Sequence, residues 1–199
     1  IRSLATINMI AYEGGVSFNR IAKIIDTPIK IKNNSKLPDL EIKKSNIDFD
    51  NVGFAYETSQ SKAIKDINLS IKGGSMTALV GHSGAGKSTI LNLLPRFYDP
   101  QEGIIKIDNQ NISKVNLKSL RKNISLVSQD IILFDDTIRN NISYANTEAS
   151  QEEIFKACEF AAANEFIEKL PLKYDTIIGE NGTRLSGGQK QRISIARAI

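Results

Sequence analysis

The sequence predicts an α/β fold, and three observations carry the prediction. Residues 76–80, Met-Thr-Ala-Leu-Val, are a short apolar run of strand length. They lead into a glycine-rich turn, and Ile90, Leu91, Leu93 and Leu94 then continue as a helix that Pro95 should stop. A second apolar run, residues 124–127, ends in the polar pair Ser128 and Gln129, which is where ligands sit in open α/β sheets.

The turn itself is Gly81, His82, Ser83, Gly84, Ala85, Gly86, Lys87, Ser88 and Thr89, which fits G-x-x-x-x-G-K-[ST] at Gly81, Gly86, Lys87 and Ser88. This is a phosphate-binding loop. Its glycines let the backbone bring N–H groups close around an anion without a Cβ in the way. Lys87 adds a point charge for the β- and γ-phosphates, Ser88 offers a hydroxyl to Mg²⁺, and the following helix points its positive end at the same groups. Each part answers one need of a bound triphosphate.

A chain of 199 residues has room for one domain with a core, or one domain and an appendage. With 41% hydrophobic and 24% charged residues, neither disorder nor a wholly membrane-embedded chain fits. Cys158 is the single cysteine, so no internal disulfide forms, and its place in a helical pattern with Ile154, Phe155 and Ala161 reads as a small buried hydrophobe. The net charge is +4, but no stripe of Lys and Arg interleaved with aromatics argues for a nucleic-acid partner.

In chain order, residues 1–27 place the apolar or small residues Leu4, Ile7, Ala11, Gly14, Phe18, Ile21 and Ile25 at helical steps, weakened in the middle by Gly14 and Gly15. Residues 27–44 carry two prolines and several lysines and read as a linker. Ile47, Phe49, Val52, Phe54 and Tyr56 read as a strand with an irregularity near Asn51 and Val52, and residues 67–71 as a second strand. Residues 103–107 predict another strand, ended by a turn at Asp108 and Asn109, and residues 117–122 a short helix. From residue 135 to 173 the pattern is helical, clearest over 152–170, with Ile154, Phe155, Cys158, Ala161, Ala162 and Ile167 as the apolar set.

Leu185, Ser186, Gly187, Gly188 and Gln189 form a second motif. Ser186 supplies a hydroxyl, the two glycines expose N–H groups, and the helix that follows aims its positive end at an anion. With the phosphate loop about a hundred residues earlier, this stretch closely resembles the signature of ATP-binding cassette ATPases. The resemblance implies a P-loop NTPase core with an antiparallel β subdomain and an α-helical subdomain, binding ATP and Mg²⁺ and hydrolysing ATP. It further implies that Tyr56 stacks on adenine and that Gln129 reaches Mg²⁺ and the attacking water, so that Lys87 and Gln129 serve catalysis and Ser88 and Gln129 the metal. His82, the sole histidine, takes no such part through its ring.

Residues 175–182, Asp-Thr-Ile-Ile-Gly-Glu-Asn-Gly, are similar to the loop that exporters of this family place before the signature. Residues 17–28 resemble the cytoplasmic end of an exporter's last membrane helix. The implied organisation is an extension of that helix over 1–27, a linker over 28–44 and a nucleotide-binding domain over 45–199, its helical subdomain about 130–185. The implied partners are a transmembrane domain of the same polypeptide, a second nucleotide-binding domain packed head to tail, and a transported lipid or hydrophobic compound, at the cytoplasmic face of a bacterial inner membrane. A non-transport member, of the DNA-repair or chromosome-organising type, is the alternative. The family's next elements, the Walker B strand ending in Asp-Glu and the switch histidine, would follow Ile199, so this stretch alone is expected to turn over almost no ATP.

Overall fold

The computed structural model describes residues 2–59 and 61–199. Two compact units divide the chain, the first ending at Leu120 and the second spanning Arg121–Ile199.

The first unit opens with α1 (Arg2–Ile25), which runs unbroken through Gly14 and Gly15. It stops where Thr27 turns its hydroxyl back to the Lys23 carbonyl (2.7 Å) ahead of Pro28, whose ring disfavours helix in the residue before it. Met9, Ile10, Tyr12, Phe18, Ile21, Ile24 and Ile25 are exposed along α1. Among the described residues no helix is long and apolar enough to cross a membrane.

Four antiparallel strands follow, β1 (Ile47–Phe54), β2 (Ile64–Ile71), β3 (Glu102–Ile107) and β4 (Gln110–Asn111), in the order β2-β1-β3-β4. The expected irregularity is a register break between Phe49 and Val52. Asn51 takes a φ of 48° there and exchanges hydrogen bonds of 3.0 Å with the Asn68 carboxamide across the ladder. The break turns successive residues inward, so that Val52, Gly53 and Phe54 are all buried. Asp108 and Asn109, at φ 47° and 65°, make the tight hairpin between β3 and β4.

The stretch before β1 is neither helix nor strand, yet side chains of this unit hold it in place. Asn33 accepts from the Leu117 N–H (3.1 Å) and Ser119 from the Leu40 N–H (3.0 Å). The Gln110 carboxamide clasps both backbone groups of Glu41, at 3.0 and 2.6 Å. Asp108 accepts from four consecutive backbone N–H groups, Lys43 (2.6 Å), Lys44 (2.9 Å), Ser45 (3.0 Å) and Asn46 (2.9 Å). Those donors hold its carboxyl well below the usual carboxylate range.

Two expected strands do not form. Residues 76–80 carry no strand, with Met76 and Val80 at 99% and 92% exposure, and residues 124–127 carry none either, with Leu126 and Val127 exposed. A strand exists only in a ladder that satisfies its backbone, and among the described residues no segment pairs with either run. The apolar pattern marks a strand fit for burial on both faces; it does not supply the partner.

After the phosphate loop comes α2 (Lys87–Leu93), and α3 (Leu117–Lys122) matches its expected limits. The second unit holds α4 (Ile138–Ser143), α5 (Gln151–Phe160), α6 (Asn164–Ile167) and α7 (Gly187–Ala198). The helix expected over 152–170 is therefore two helices. Ala162, at φ 51°, breaks the turn between them, and α5 starts at Ser150 with a capping box to Glu153. Ile154, Cys158, Ala161 and Ile167 are buried as expected. Phe155 instead lies 39% exposed, its ring 4.6 Å from that of Tyr174. Burial pushes the Cys158 thiol up to about 11, in keeping with an inert packing residue.

The core of this unit contains one polar hub that the periodicity did not reveal. Asn141, 1% exposed, donates to the Phe134 and Thr137 carbonyls (both 3.0 Å). Its Oδ1 accepts from the Phe134 N–H and from Arg197 Nη2 (both 2.9 Å). Arg197 also donates to the Asn141 and Ile132 carbonyls, at 2.8 and 2.9 Å. The hub thus ties the 132–134 segment, α4 and the end of α7 together.

Replacing Asn141 with Leu keeps the number and branching of side-chain heavy atoms but strands these buried donors and acceptors, and should lower the unfolding free energy by about 3 kcal/mol in urea titrations. Asp108→Asn should lower the urea midpoint at pH 7. Because the folded-state pKa of Asp108 is depressed, its stabilisation is complete above the unfolded value near ~3.9 and is lost as pH falls through the folded value. The gap between wild type and Asp108→Asn should therefore close as pH is lowered below about 4.

Candidate functional site

The sequence-predicted residues fall into two sets, one in each unit. In the first, the loop from Gly81 to Thr89 lies on the surface, with only Thr89 and the residue after it buried. Gly84 and Gly86 sit at φ 81° and 83°. At Gly86 a Cβ would lie 2.5 Å from Ile64 Cγ2 and 2.8 Å from the Ala63 carbonyl oxygen. Glycine is required there twice over, for the left-handed backbone and for the contact with the start of β2.

Lys87 Nζ donates to the carbonyl oxygens of Gly81 and His82, both at 2.8 Å. The ammonium is thereby folded over the loop it serves, and its partners are neutral. An incoming phosphate would offer charged acceptors in their place, which bind an ammonium about twice as strongly. His82 contributes its backbone carbonyl to this contact.

Tyr56 follows the end of β1. Its hydroxyl lies 3.2 Å from Thr89 Oγ1, joining it to the phosphate loop. Its ring stands nearly perpendicular to those of Phe54 (4.8 Å, 86°) and Tyr98 (5.2 Å, 88°). A cleft of about 420 Å³ opens beside the three rings, with Lys30 and Gln101 also on its wall. Tyr98 has no counterpart among the residues read from the sequence as functional. Its signal was the aromatic pair Phe97 and Tyr98 directly after the helix stop at Pro95.

In the second unit, Ser186 caps α7. Its hydroxyl accepts from the Gln189 N–H (3.4 Å) while the Gln189 carboxamide accepts from the Ser186 N–H (2.9 Å). Gly187 and Gly188, in the first turn of α7, have nothing within 4 Å of where a Cβ would stand. Their N–H groups are among those that a helix leaves without intrahelical partners. Leu185 packs against the apolar core of this unit and anchors the approach to the cap.

Gln129 is exposed in the loop that replaces the expected strand end. It lines a cleft of about 410 Å³ together with Asp130, Ile131, Ile132, Gly187, Lys190 and Gln191. Gln129 and the start of α7 therefore meet at one surface. The Ser88 hydroxyl in the first unit and the Gln129 carboxamide oxygen in the second are each a hard donor of the kind Mg²⁺ takes alongside phosphate and water. No cluster of three or more His, Cys, Asp or Glu side chains suited to a metal occurs among the described residues.

The family model for ABC transporters matches residues 64–199. Over all 199 residues the chain is 46% identical to an ATP-dependent lipid A-core flippase of Legionella pneumophila (strain Paris), of which it covers 33%. Over 177 residues, 89% of this chain, it is 49% identical to a Staphylococcus aureus (strain NCTC 8325) protein provisionally named a multidrug export ATP-binding/permease protein, covering 31% of it. Among solved structures, a bacterial Atm1-family ABC exporter with ATP bound aligns with 98% of this chain and 34% of its own at a TM-score of 0.87 and 42% identity. The chain spans about a third of the length of the curated relatives it matches. Its antiparallel sheet and helical unit are parts of the α/β fold of ABC ATPases, and the chain belongs to the ABC transporter family.

Proposed function

We propose that this chain is the ATP-binding and ATP-hydrolysing part of an exporter that moves a lipid or hydrophobic compound across a membrane. The observation that carries the reading is that two phosphate-directed surfaces occur in one chain. One is the loop from Gly81 to Thr89 with Lys87 folded over it, and the other is the capped start of α7 at Ser186.

In this reading the N–H groups of Gly81, His82, Ser83, Gly84, Ala85 and Gly86 face the β-phosphate. Lys87 moves from its carbonyl partners to the β- and γ-oxygens. Ser88 and Gln129 would hold Mg²⁺, which when bound would supply positive charge to offset the negative charge that builds up as the terminal phosphoryl leaves. Gln129 also orients the attacking water. Tyr56 presents its ring to the base, and Thr89 ties it to the loop.

The second surface, Leu185 to Gln189, serves a nucleotide held by another copy of the domain, packed head to tail. ATP then acts as the joint between the two copies, and its hydrolysis releases them. The exposed apolar face of α1 supports a place for residues 1–27 as the cytoplasmic extension of a membrane helix of the same polypeptide. Residues 28–44 connect it to a nucleotide-binding domain over 45–199, whose helical part is about 130–185. This puts the domain at the cytoplasmic face of the membrane, with no nucleic-acid partner. The names of the relatives, a lipid flippase and a provisional multidrug exporter, support an apolar cargo.

Three substitutions in the complete polypeptide test the assignment. Lys87→Ala should reduce ATP turnover to background in a phosphate-release assay. Gly86→Ala should do the same by blocking nucleotide binding, because the new methyl meets Ile64 and Ala63 and the left-handed backbone costs about 1–2 kcal/mol. Ser186→Ala should cut turnover and weaken the α7 cap by about 1 kcal/mol while leaving ATP binding by a lone domain intact. Loss of binding by the lone domain in Ser186→Ala would refute the head-to-tail arrangement.

A further inference from the structure

We propose that Tyr98 is a positioning residue for the nucleobase, fixing the plane of the Tyr56 ring on which the base stacks. The inference rests on the base-stacking role read for Tyr56 above.

An aromatic side chain just beyond a strand end keeps two soft torsions, and a ligand that must order it loses affinity in doing so. Tyr56 is constrained in three ways. Phe54, 4% exposed, is held in β1 two residues before it and moves with the same strand. Thr89 takes its hydroxyl at 3.2 Å. The third constraint, Tyr98, comes like Thr89 from outside β1, and from there it packs a ring against the ring of Tyr56.

The segment that carries Tyr98 is itself fixed. Arg96, 7% exposed and at φ 52°, grips Asp99 with two parallel hydrogen bonds, Nε to Oδ1 (2.8 Å) and Nη2 to Oδ2 (2.9 Å). It also donates to the Ile112 carbonyl at 3.2 Å. A bidentate pair across three residues leaves the turn between them little freedom. Two residues on, the Gln101 carboxamide clasps Ala55, accepting from its N–H (2.7 Å) and donating to its carbonyl (2.8 Å). Ala55 lies between Phe54 and Tyr56. The 96–101 segment therefore fixes Tyr56 twice, its backbone through Gln101 and its ring through Tyr98.

Tyr98 is 41% exposed, so its ring does not fill the core of this unit. Its ring packs against those of Tyr56 and Phe54, the latter at 5.3 Å. Because its segment begins where α2 ends, the same helix that follows the phosphate loop also sets the position of the ring that orients Tyr56.

The test compares ATP with inorganic tripolyphosphate, which has the phosphates and no base, on the complete polypeptide carrying Tyr98→Leu, Tyr98→Phe or Tyr56→Leu. By titration calorimetry, Tyr98→Leu should weaken ATP about fivefold and leave tripolyphosphate within about twofold of wild type. Tyr98→Phe, which keeps the ring, should bind both as wild type does. An equal loss for both ligands in Tyr98→Leu would mean a merely structural role and overturn the proposal. So would unchanged ATP binding in Tyr98→Leu while Tyr56→Leu loses it. If Tyr56→Leu itself leaves the ratio of the two affinities unchanged, base stacking on Tyr56 fails and the role of Tyr98 falls with it.

Discussion

The phosphate site depends on one close approach, that of Gly86 to Ala63 and Ile64. The loop's last turn is pressed against the entry to β2, and the space between them is too small for a methyl group. This contact converts a flexible glycine-rich turn into one with a fixed relation to the sheet. Through β1, the same sheet carries Tyr56, and Thr89 closes the circuit at the other end of the loop. The loop and Tyr56 therefore share one scaffold, in which the absence of a side chain at Gly86 is the element that cannot be exchanged.

Elsewhere the chain solves a recurrent problem in one manner. Segments without helix or strand need partners for their backbone groups, and single polar side chains provide them. Asp108 takes four N–H groups ahead of β1, Gln110 holds both sides of Glu41, Gln101 both sides of Ala55, and Asn141 both sides of Phe134. Each clasp fixes backbone that a pattern of apolar residues could not. The stretch ahead of β1, which composition marks as a linker, is for this reason a strap bound along the sheet rather than a loose tether.

These clasps also mark what a sequence can and cannot disclose. The phosphate loop and the Ser186 cap were legible because each uses local geometry, with donors and caps a few residues apart. The bulge at Asn51 was legible because the apolar alternation slips there, and the hairpin at Asp108 and Asn109 because residue type reports φ. Asn141, Gln101 and Tyr98 were not, because their partners lie elsewhere in the chain or their role depends on a fold already formed. The runs at 76–80 and 124–127 failed in the opposite sense. Their apolar character is real, but a strand is a property of a pair, and pairing is not written in either member.

Both phosphate-directed surfaces share a feature that bears on how such a site can work. Each is satisfied by its own residues: Lys87 by the Gly81 and His82 carbonyls, and Ser186 and Gln189 by each other. Neither surface therefore carries a large penalty when empty, and the cap keeps its Ser186 bonds while Gly187 and Gly188 still present N–H groups. A charged phosphate would outcompete the neutral acceptors of Lys87 without dismantling the loop, because the exchange moves one flexible side chain and no backbone. The binding energy gained is then free to act between domains rather than being spent on ordering the site, which is the condition under which a nucleotide can serve as a reversible joint.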